Sequence, residues 1–260
     1  MPERTSYAQG TPCWVELSTP DPPAARAFYA DLFGWDYRDN DVGDSGGTYA
    51  MALLDGKMVA AISGQHPDQV AQGVPPNWST YLAVDDLDAV AAGVEGAGGQ
   101  LIVPPSDVAP HGRMAIAFDP QGASVVLWQA GEHVGAELIN DPGSVVWNEL
   151  RTSDRAAGAA FLATVFGVRT EDTDAGGRAY TLFFAGDEMA GGIADAGDQP
   201  NYWDVSFATA DIAATVARAE ELGATVVLAP METPIGHVAR CLDPTGASFS
   251  LFQPGDPPEG

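Results

Sequence analysis

The chain repeats itself, and this repeat limits its fold more than any other feature of the sequence. The segment WVELSTPD, which begins at Trp14, recurs as WNELRTSD from Trp147, and FYADLFG recurs as FLATVFG, both at an offset of 133 residues. Further on, DPQGAS from Asp119 recurs as DPTGAS from Asp243 at an offset of 124 residues. Blocks that recur in one order indicate a duplicated domain. We therefore predict two domains, residues 1–132 and 133–260.

Each half also has an internal pattern that runs twice. CWVELST is typical of a strand, PAARAFYADLFG of a helix that ends at Gly34, and TYAMALLDG and KMVAAIS of further strands. The second run has the strand STYLAVDD, the helix LDAVAAGVEGAG and three more strands around LIVPPSDV, GRMAIAFDP and ASVVLWQ. The Asp-Pro-x-Gly tetrapeptide indicates a turn between the last two strands. The pattern predicts an α+β fold with four βαβββ units.

The composition excludes several classes of partner. The net charge is −25 and the isoelectric point is near 4.1, so the protein repels phosphate backbones and anionic lipid surfaces. We therefore predict neither a nucleic acid nor a membrane as partner. No apolar segment approaches the roughly 18 residues of a membrane-spanning helix, and the N-terminus does not resemble a signal peptide. The two cysteines, Cys13 and Cys241, do not suggest a disulfide framework. A soluble cytoplasmic protein is expected.

The ordered blocks resemble the vicinal oxygen chelate superfamily, which includes glyoxalase I, bleomycin-resistance proteins and extradiol dioxygenases. The resemblance covers essentially the whole chain as two tandem copies. It is nearest to actinobacterial two-domain glyoxalase-like proteins, some of which accompany antibiotic biosynthesis or resistance. In such folds, paired βαβββ units make a curved sheet that cups a pocket, so two cups are implied. Single-domain relatives commonly dimerise, so this chain is expected to be a monomer that acts as a pseudo-dimer, or a homodimer.

The resemblance also implies where a metal would bind, at three strand positions that carry His, Gln or Glu in metal-dependent members. The residues aligned with these positions are Trp14, Ser79 and Val126 in the first half and Trp147, Asp204 and Ser250 in the second. Indole, hydroxyl and aliphatic groups are poor ligands for divalent ions. The four histidines lie in loops or near the linker, and GEHVG around His133 is expected to be solvated at the domain junction. We therefore predict no metal and no other cofactor.

Strand alternation predicts which residues line each cup. In the first half they are Trp14, Glu16, Ser79, Tyr81, Val126 and Trp128. In the second half they are Trp147, Glu149, Asp204, Ser206, Ser250 and Phe252. The first wall is mainly aromatic, and the second is more polar and carries two acids. Aromatic faces with a few polar groups are typical of small-molecule pockets.

Three interpretations follow from these linings. The first is a metal-independent protein that binds a hydrophobic, planar aromatic metabolite, for sequestration, resistance or assistance to a natural-product tailoring step. The second is a lyase, isomerase or oxygenase that uses a non-standard metal site, or Glu149 and Asp204 as catalytic acid and base. The third is a structural or signalling module in which the tryptophans fill both cups and the glutamates are hydrogen-bonded structural groups. The sequence alone leaves all three open.

Overall fold

The computed structural model describes residues 3–41 and 48–255, and each half of the chain forms one eight-stranded sheet. The first-half strands are β1 Pro12–Thr19, β2 Asp36–Asp41, β3 Thr48–Leu54, β4 Lys57–Gly64, β5 Asn77–Ala83, β6 Gln100–Val108, β7 Gly112–Phe118 and β8 Ser124–Ala130. The first-half helices are α1 Pro22–Phe33, α2 Pro67–Ala71 and α3 Leu87–Val94.

The second half repeats the arrangement of long elements without a counterpart of the short helix α2. Its strands are β9 Val145–Thr152, β10 Arg169–Asp174, β11 Ala179–Ala185, β12 Glu188–Asp195, β13 Tyr202–Ala208, β14 Thr225–Thr233, β15 Gly236–Leu242 and β16 Ser248–Pro254. Its helices are α4 Arg155–Phe166 and α5 Ile212–Glu221. The predicted α+β fold with four βαβββ units is confirmed.

The first helix of each half has the same capping residues. The Asp21 side chain accepts the backbone N–H of Ala24 at 3.1 Å at the start of α1, and Asp154 accepts that of Ala157 at 3.0 Å at the start of α4. Both helices end at a glycine in the left-handed conformation, with φ of 75° at Gly34 and 73° at the equivalent position of α4. A carboxylate at the N-cap and a left-handed glycine at the C-terminus satisfy the unpaired backbone groups at helix ends. The repeated Asp and Gly are therefore explained by local structure.

The sheet order shows which units build each cup. The first sheet runs β2-β3-β4-β1-β5-β8-β7-β6, and the second runs β10-β11-β12-β9-β13-β16-β15-β14. The first strands of the two units, β1 with β5 and β9 with β13, pair antiparallel at the centre. Both units of one cup therefore come from the same half of the chain.

The two halves pack through the faces that carry the helices. Phe28 of α1 contacts Phe249 of β16, with ring centroids 5.8 Å apart, in a hydrophobic core that both halves share. Within that core the Tyr29 hydroxyl donates to the Asp243 carboxylate at 3.1 Å and accepts the Trp78 indole N–H at 3.0 Å. The cup faces of the two sheets are on the opposite side from this core.

In the described parts of the chain, no helix has both the length and the apolar character needed to cross a membrane.

Candidate functional site

The repeated Trp-x-Glu pair is part of a hydrogen-bonded triad in the first cup. The Trp14 indole N–H donates to the Tyr49 hydroxyl at 3.1 Å, and this hydroxyl donates to the Glu16 carboxylate at 3.3 Å. Trp14 and Glu16 are two residues apart on β1, so they share one face, and Tyr49 reaches them from β3. The tyrosine thus joins the indole to the acid.

The second cup contains the same triad. The Trp147 indole N–H donates to the Tyr180 hydroxyl at 2.9 Å, and the Tyr180 hydroxyl lies near Glu149, whose pKa it lowers. The Tyr180 ring lies against Gly192 on β12, where a Cβ atom would collide with the ring. Close approach of a side chain to the backbone is a common reason for glycine within a strand. The two strand segments are therefore repeated because each builds a Trp-Tyr-Glu triad.

The first cup is filled by its own side chains. Trp14 is 3% exposed, Tyr81 8% and Trp128 5%, and they form one hydrophobic cluster. Besides Tyr49, the Glu16 carboxylate accepts hydrogen bonds from Tyr81 and, at 2.5 Å, from the Ser63 hydroxyl. A carboxylate with several hydroxyl donors is well satisfied. Glu16 therefore has the environment of a structural acid.

The linker after β8 covers the first cup, which contradicts the expected solvation of His133. The imidazole packs edge-on against Trp14, with ring centroids 4.5 Å apart, and lies 5.7 Å from the Trp128 ring. The Trp128 indole N–H donates to the His133 carbonyl at 3.0 Å. The prediction was wrong for the imidazole, which packs on the apolar surface of the cup, whereas Gly131 and Glu132 are exposed.

The second cup is more open. Trp147, Ser206 and Phe252 are half-buried, whereas Trp14 and Trp128, the counterparts of Trp147 and Phe252, are buried. Ser206 lies opposite Trp147 in the sheet register, at the position that Tyr81 holds opposite Trp14 in the first half. A serine in place of a tyrosine removes a ring from the centre of the cup. The wall of the second cup therefore carries one large ring fewer than that of the first.

Two ion pairs occupy the floor of the second cup. Arg240 Nη2 lies 2.5 Å from Asp204 Oδ2, and the Ser250 hydroxyl donates to the same carboxylate at 3.0 Å. Arg151 Nε lies 2.5 Å from Glu149 Oε1, in an orientation that makes a close ion pair rather than a regular hydrogen bond. The predicted acids Glu149 and Asp204 lie directly opposite each other on β9 and β13. The structure thus brings them together, each with its own guanidinium.

Burial raises the pKa of Glu149 above its ordinary value. The positive charge of Arg151 lowers the pKa, and the neighbouring Asp204 raises it, but loss of hydration is the largest effect. Burial likewise raises the pKa of Tyr180, so its hydroxyl stays protonated and can donate. Glu149 therefore keeps its proton to a higher pH than an exposed glutamate does.

Trp14 and Val126, two of the three first-half residues aligned with metal ligands, lie at the same level of the sheet, in one row across neighbouring strands. Trp14 lies opposite Tyr81, and Tyr81 lies beside Val126 on the parallel neighbour β8. Ser79 lies opposite Glu16 instead, one pair further along the strands. In the second half, Trp147, Ser206 and Ser250 form the equivalent row.

These residues do not fit the metal of the superfamily. The rows offer indole, phenol, hydroxyl and aliphatic groups, and the nearby carboxylates Glu149 and Asp204 contact arginines. Within residues 3–41 and 48–255, no group of three or more His, Cys, Asp or Glu residues is arranged to hold a metal ion. Divalent transition metals need several imidazole, thiolate or carboxylate donors. No reaction step through a metal is therefore derived for this chain.

A surface cleft of about 210 Å³ lies on the first half, between the N-terminal segment and the linker. It is lined by Tyr7, Trp128 and Val134 together with the chain that follows β5. Small-molecule sites commonly measure about 300–1,000 Å³. The cleft is smaller and lies beside the first cup rather than inside either cup.

Sequence reasoning missed the partners of the predicted site residues. Tyr49 and Tyr180 complete the triads, and Arg151 and Arg240 neutralise the acids of the second cup. A signal for the tyrosines was present, because GGTYA and GGRAY place a tyrosine shortly after a glycine pair at an offset of 131 residues. The arginines gave no such signal, because their first-half counterparts are Ser18 and Ile116.

The fold and its two cups define a tandem glyoxalase-like protein. The family model of the Glyoxalase/Bleomycin resistance protein/Dioxygenase superfamily matches residues 13–127, and that of the Glyoxalase-like domain matches residues 144–252. The chain belongs to this superfamily.

Two relatives match over nearly their full length. CFP32 of Mycobacterium tuberculosis, which is provisionally named a glyoxylase, is 45% identical over 258 residues that cover 98% of each chain. The anthracycline biosynthesis protein DnrV of Streptomyces peucetius is 39% identical and covers 96% of this chain and 95% of its own.

Solved structures share the fold at low sequence identity. The Mn(II)-bound glyoxalase of Novosphingobium aromaticivorans superposes with a TM-score of 0.66 at 17% identity, over 95% of this chain and 82% of that one. The 2,3-dioxygenase LapB of Pseudomonas sp. KL28 superposes with a TM-score of 0.67 at 14% identity, over 98% and 96% of the two chains. These similarities show the fold alone.

Proposed function

We propose that the protein binds a planar aromatic metabolite in the cup of its second half, without a metal. One observation carries this proposal: Trp147 is the half-buried tryptophan, while the other five are at most 5% exposed. A half-buried indole opposite the small Ser206 offers a flat face and the space beside it. Stacking on such a face favours flat ligands.

The polar floor of the cup supports an oriented ligand. The ion pairs Arg240 with Asp204 and Arg151 with Glu149 leave several guanidinium N–H donors, because each guanidinium has five. Phenolic and quinone oxygens on a fused ring system match such donors. Each acid contacts an arginine, so the floor has no unpaired carboxylate that a bound aromatic ring would cover.

The relatives agree with a ligand of this kind. DnrV and its counterpart DauV from Streptomyces sp. strain C5 are named for anthracycline biosynthesis. Anthracyclines contain fused, oxygen-bearing aromatic rings. We infer sequestration of such a compound, or assistance to its tailoring, as the role of the second cup. The residues that would contact it are Trp147, Glu149, Asp204, Ser206 and Phe252.

The first cup is proposed to have a structural role. Its predicted ligand-binding residues Trp14, Glu16, Tyr81 and Trp128 contact one another and the linker. Ser79 is half-buried and accepts a hydrogen bond from Asn77 at 3.2 Å. The original prediction of a ligand in this cup therefore has less support than that for the second.

Equilibrium dialysis tests the proposal with 1,8-dihydroxyanthraquinone, a single-ring catechol and an aliphatic compound of matched hydrophobicity. We expect one molecule of the fused-ring compound per chain and at least tenfold weaker binding of the other two. Equal binding of all three would show non-specific hydrophobic uptake. Elemental analysis of the same protein provides a second check, and a stoichiometric transition metal would contradict metal-independent binding.

The raised pKa of Glu149 favours proton transfer as a second function. A carboxyl group whose pKa is raised by burial is better suited to accept and return a proton than an ordinary carboxyl group. Both acids contact an arginine, Arg151 beside Glu149 and Arg240 beside Asp204, and Asp204 also accepts a hydrogen bond from Ser250. Under this alternative, the protein catalyses deuterium exchange from D₂O into an activated C–H bond of its ligand, and Glu149→Gln abolishes the exchange even at saturating ligand. NMR of the bound compound distinguishes this function from simple binding.

A further inference from the structure

The linker histidine occupies the first cup as a ligand would. The His133 ring meets the Trp14 ring at 4.5 Å and an interplanar angle of 87°, and the Trp128 ring at 5.7 Å and 66°. Edge-to-face contacts at such distances are favourable between aromatic rings. The imidazole thus lies between two indoles on the cup side of the first sheet.

The polar atoms of the ring do not hold it there. Both ring nitrogens are shielded from solvent and have no hydrogen-bond partner among the described residues. Burial lowers the pKa of His133 to about 4, so the ring is neutral at pH 7. The imidazole therefore fills the cup as an uncharged, planar aromatic ring.

The backbone of the linker fixes the ring in this place. The Trp128 indole N–H donates to the His133 carbonyl, and the Ala136 N–H donates to the Cys13 carbonyl at 2.7 Å. Gly135 lies so close to that carbonyl that a Cβ atom would collide with it. The Tyr7 hydroxyl donates to the Ala136 carbonyl at 2.6 Å. We call residues 131–139 the linker plug.

The repeat relates this arrangement to the second cup. Trp147 is the counterpart of Trp14 at an offset of 133, and Phe252 is the counterpart of Trp128 at an offset of 124. Both second-half residues are half-buried. Their positions in the second cup correspond to those of the two indoles that contact the His133 ring in the first.

We propose that His133 is an internal ligand of the first cup, which is a closed site for a single neutral aromatic ring. The equivalent space between Trp147 and Phe252 is then the ring subsite of the second cup, and this second statement rests on the proposed function. The first cup remains closed as long as the linker plug stays docked. Its ligand class is a flat five- or six-membered aromatic ring without charge.

Chemical rescue tests the internal ligand. His133→Ala removes the ring, and imidazole is the probe that replaces it. We expect His133→Ala to lower the melting temperature and millimolar imidazole at pH 8 to restore it saturably. His111→Ala, a matched change of the exposed histidine in the neighbouring loop, is expected to show no recovery. His133→Phe keeps a ring in the cup, so it should retain the wild-type melting temperature, and imidazole should not change that temperature.

Two outcomes would overturn the internal ligand. One is a folded His133→Ala protein whose melting temperature does not respond to imidazole. The other is a His133→Phe protein as unstable as His133→Ala, because a ring of either kind should fill the site. The stability of His133→Phe, compared with that of the wild type, tests the internal ligand even if His133→Ala does not fold.

The ring subsite of the second cup has a separate test. Phe252→Ala is expected to weaken binding of 1,8-dihydroxyanthraquinone at least tenfold, while His133→Phe leaves it unchanged. If wild-type protein binds the compound and Phe252→Ala does so equally, the subsite is wrong but the proposed function stands. If wild-type protein does not bind the anthraquinone while imidazole still restores the melting temperature of His133→Ala, the proposed function fails and the internal ligand stands.

Discussion

The indole N–H of Trp147 donates to the hydroxyl of Tyr180 at 2.9 Å, and Trp14 makes the same bond to Tyr49 at 3.1 Å in the other half. Each tyrosine in turn lies beside the glutamate two residues after its tryptophan, and Tyr49 donates to Glu16 at 3.3 Å. One triad is placed in a filled cup and the other in an open one. Matched changes in the two halves can therefore separate binding from stability.

Removing the two hydroxyl groups gives the first prediction. Tyr180→Phe leaves the Trp147 N–H without its acceptor, and we expect affinity for 1,8-dihydroxyanthraquinone to fall about tenfold, or about 1.4 kcal/mol. Tyr49→Phe, the matched control, should cost about 1–3 kcal/mol of stability without changing affinity. Equilibrium dialysis and urea denaturation measure the two effects. Equal loss of affinity in both variants would argue against a ligand in the second cup.

Ser206 controls the space in the second cup. Ser206→Tyr introduces the ring that Tyr81 supplies in the first cup, so we expect ligand binding to be lost while the melting temperature stays near the wild-type value. Ser206→Ala removes only the hydroxyl and should keep affinity within about threefold, a change of under 1 kcal/mol. Calorimetric titration of both variants checks this. Undiminished binding by Ser206→Tyr would place the ligand elsewhere.

Tyr29 links the two halves through Asp243. Tyr29→Phe removes the donor to this buried carboxylate, and we expect a loss of about 1–3 kcal/mol in the free energy of unfolding. Tyr37→Phe is the control, because the Tyr37 hydroxyl is buried without a partner among the described residues. Its removal should change stability by less than about 0.5 kcal/mol. Similar effects of the two changes, measured by urea denaturation, would contradict a role for the bond.

His133, whose ring nitrogens are shielded from solvent, predicts a pH dependence of stability. Its pKa is about 4 in the folded protein against 6.5 ordinarily, chiefly because of burial, with smaller contributions from His111 and Arg38. The unfolded chain therefore takes up a proton first as the pH falls. Stability from the neutral ring is fully present above pH 6.5 and is lost progressively down to about pH 4, by at most about 3 kcal/mol.

The difference between wild type and His133→Phe isolates this histidine from the other titrating groups. Denaturation at a series of pH values should show wild-type stability falling faster than that of the variant between pH 6.5 and 4. Parallel curves would show that the ring is not buried in solution.

The architecture was predictable because the period-two pattern of the strands is a local signal and the repeat shows that the same pattern occurs in both halves. The helix limits at Asp21 and Gly34 follow from capping chemistry, and the shared face of Trp14 and Glu16 follows from strand alternation. Helix limits and strand faces both depend on residues that are close together in the sequence.

The partners of the site residues were harder to predict because they depend on register between distant strands. Tyr180 reaches Trp147 across β12, and a bulge at Phe183 and Phe184 shifts the pairing of β11 with β12. His133 was misplaced for a related reason, since a polar, glycine-containing linker gives no sign of the apolar cup that it covers. Register and loop docking are tertiary properties.

Tryptophan fluorescence tests the central claim most directly, because Trp147 is the half-buried indole of the second cup. On titration with 1,8-dihydroxyanthraquinone, we predict saturable quenching of the wild-type protein and of Trp14→Phe. Trp147→Phe should lose most of this quenching and bind the compound more weakly in dialysis. Full quenching and unchanged affinity in Trp147→Phe would contradict a planar ligand stacked in the second cup.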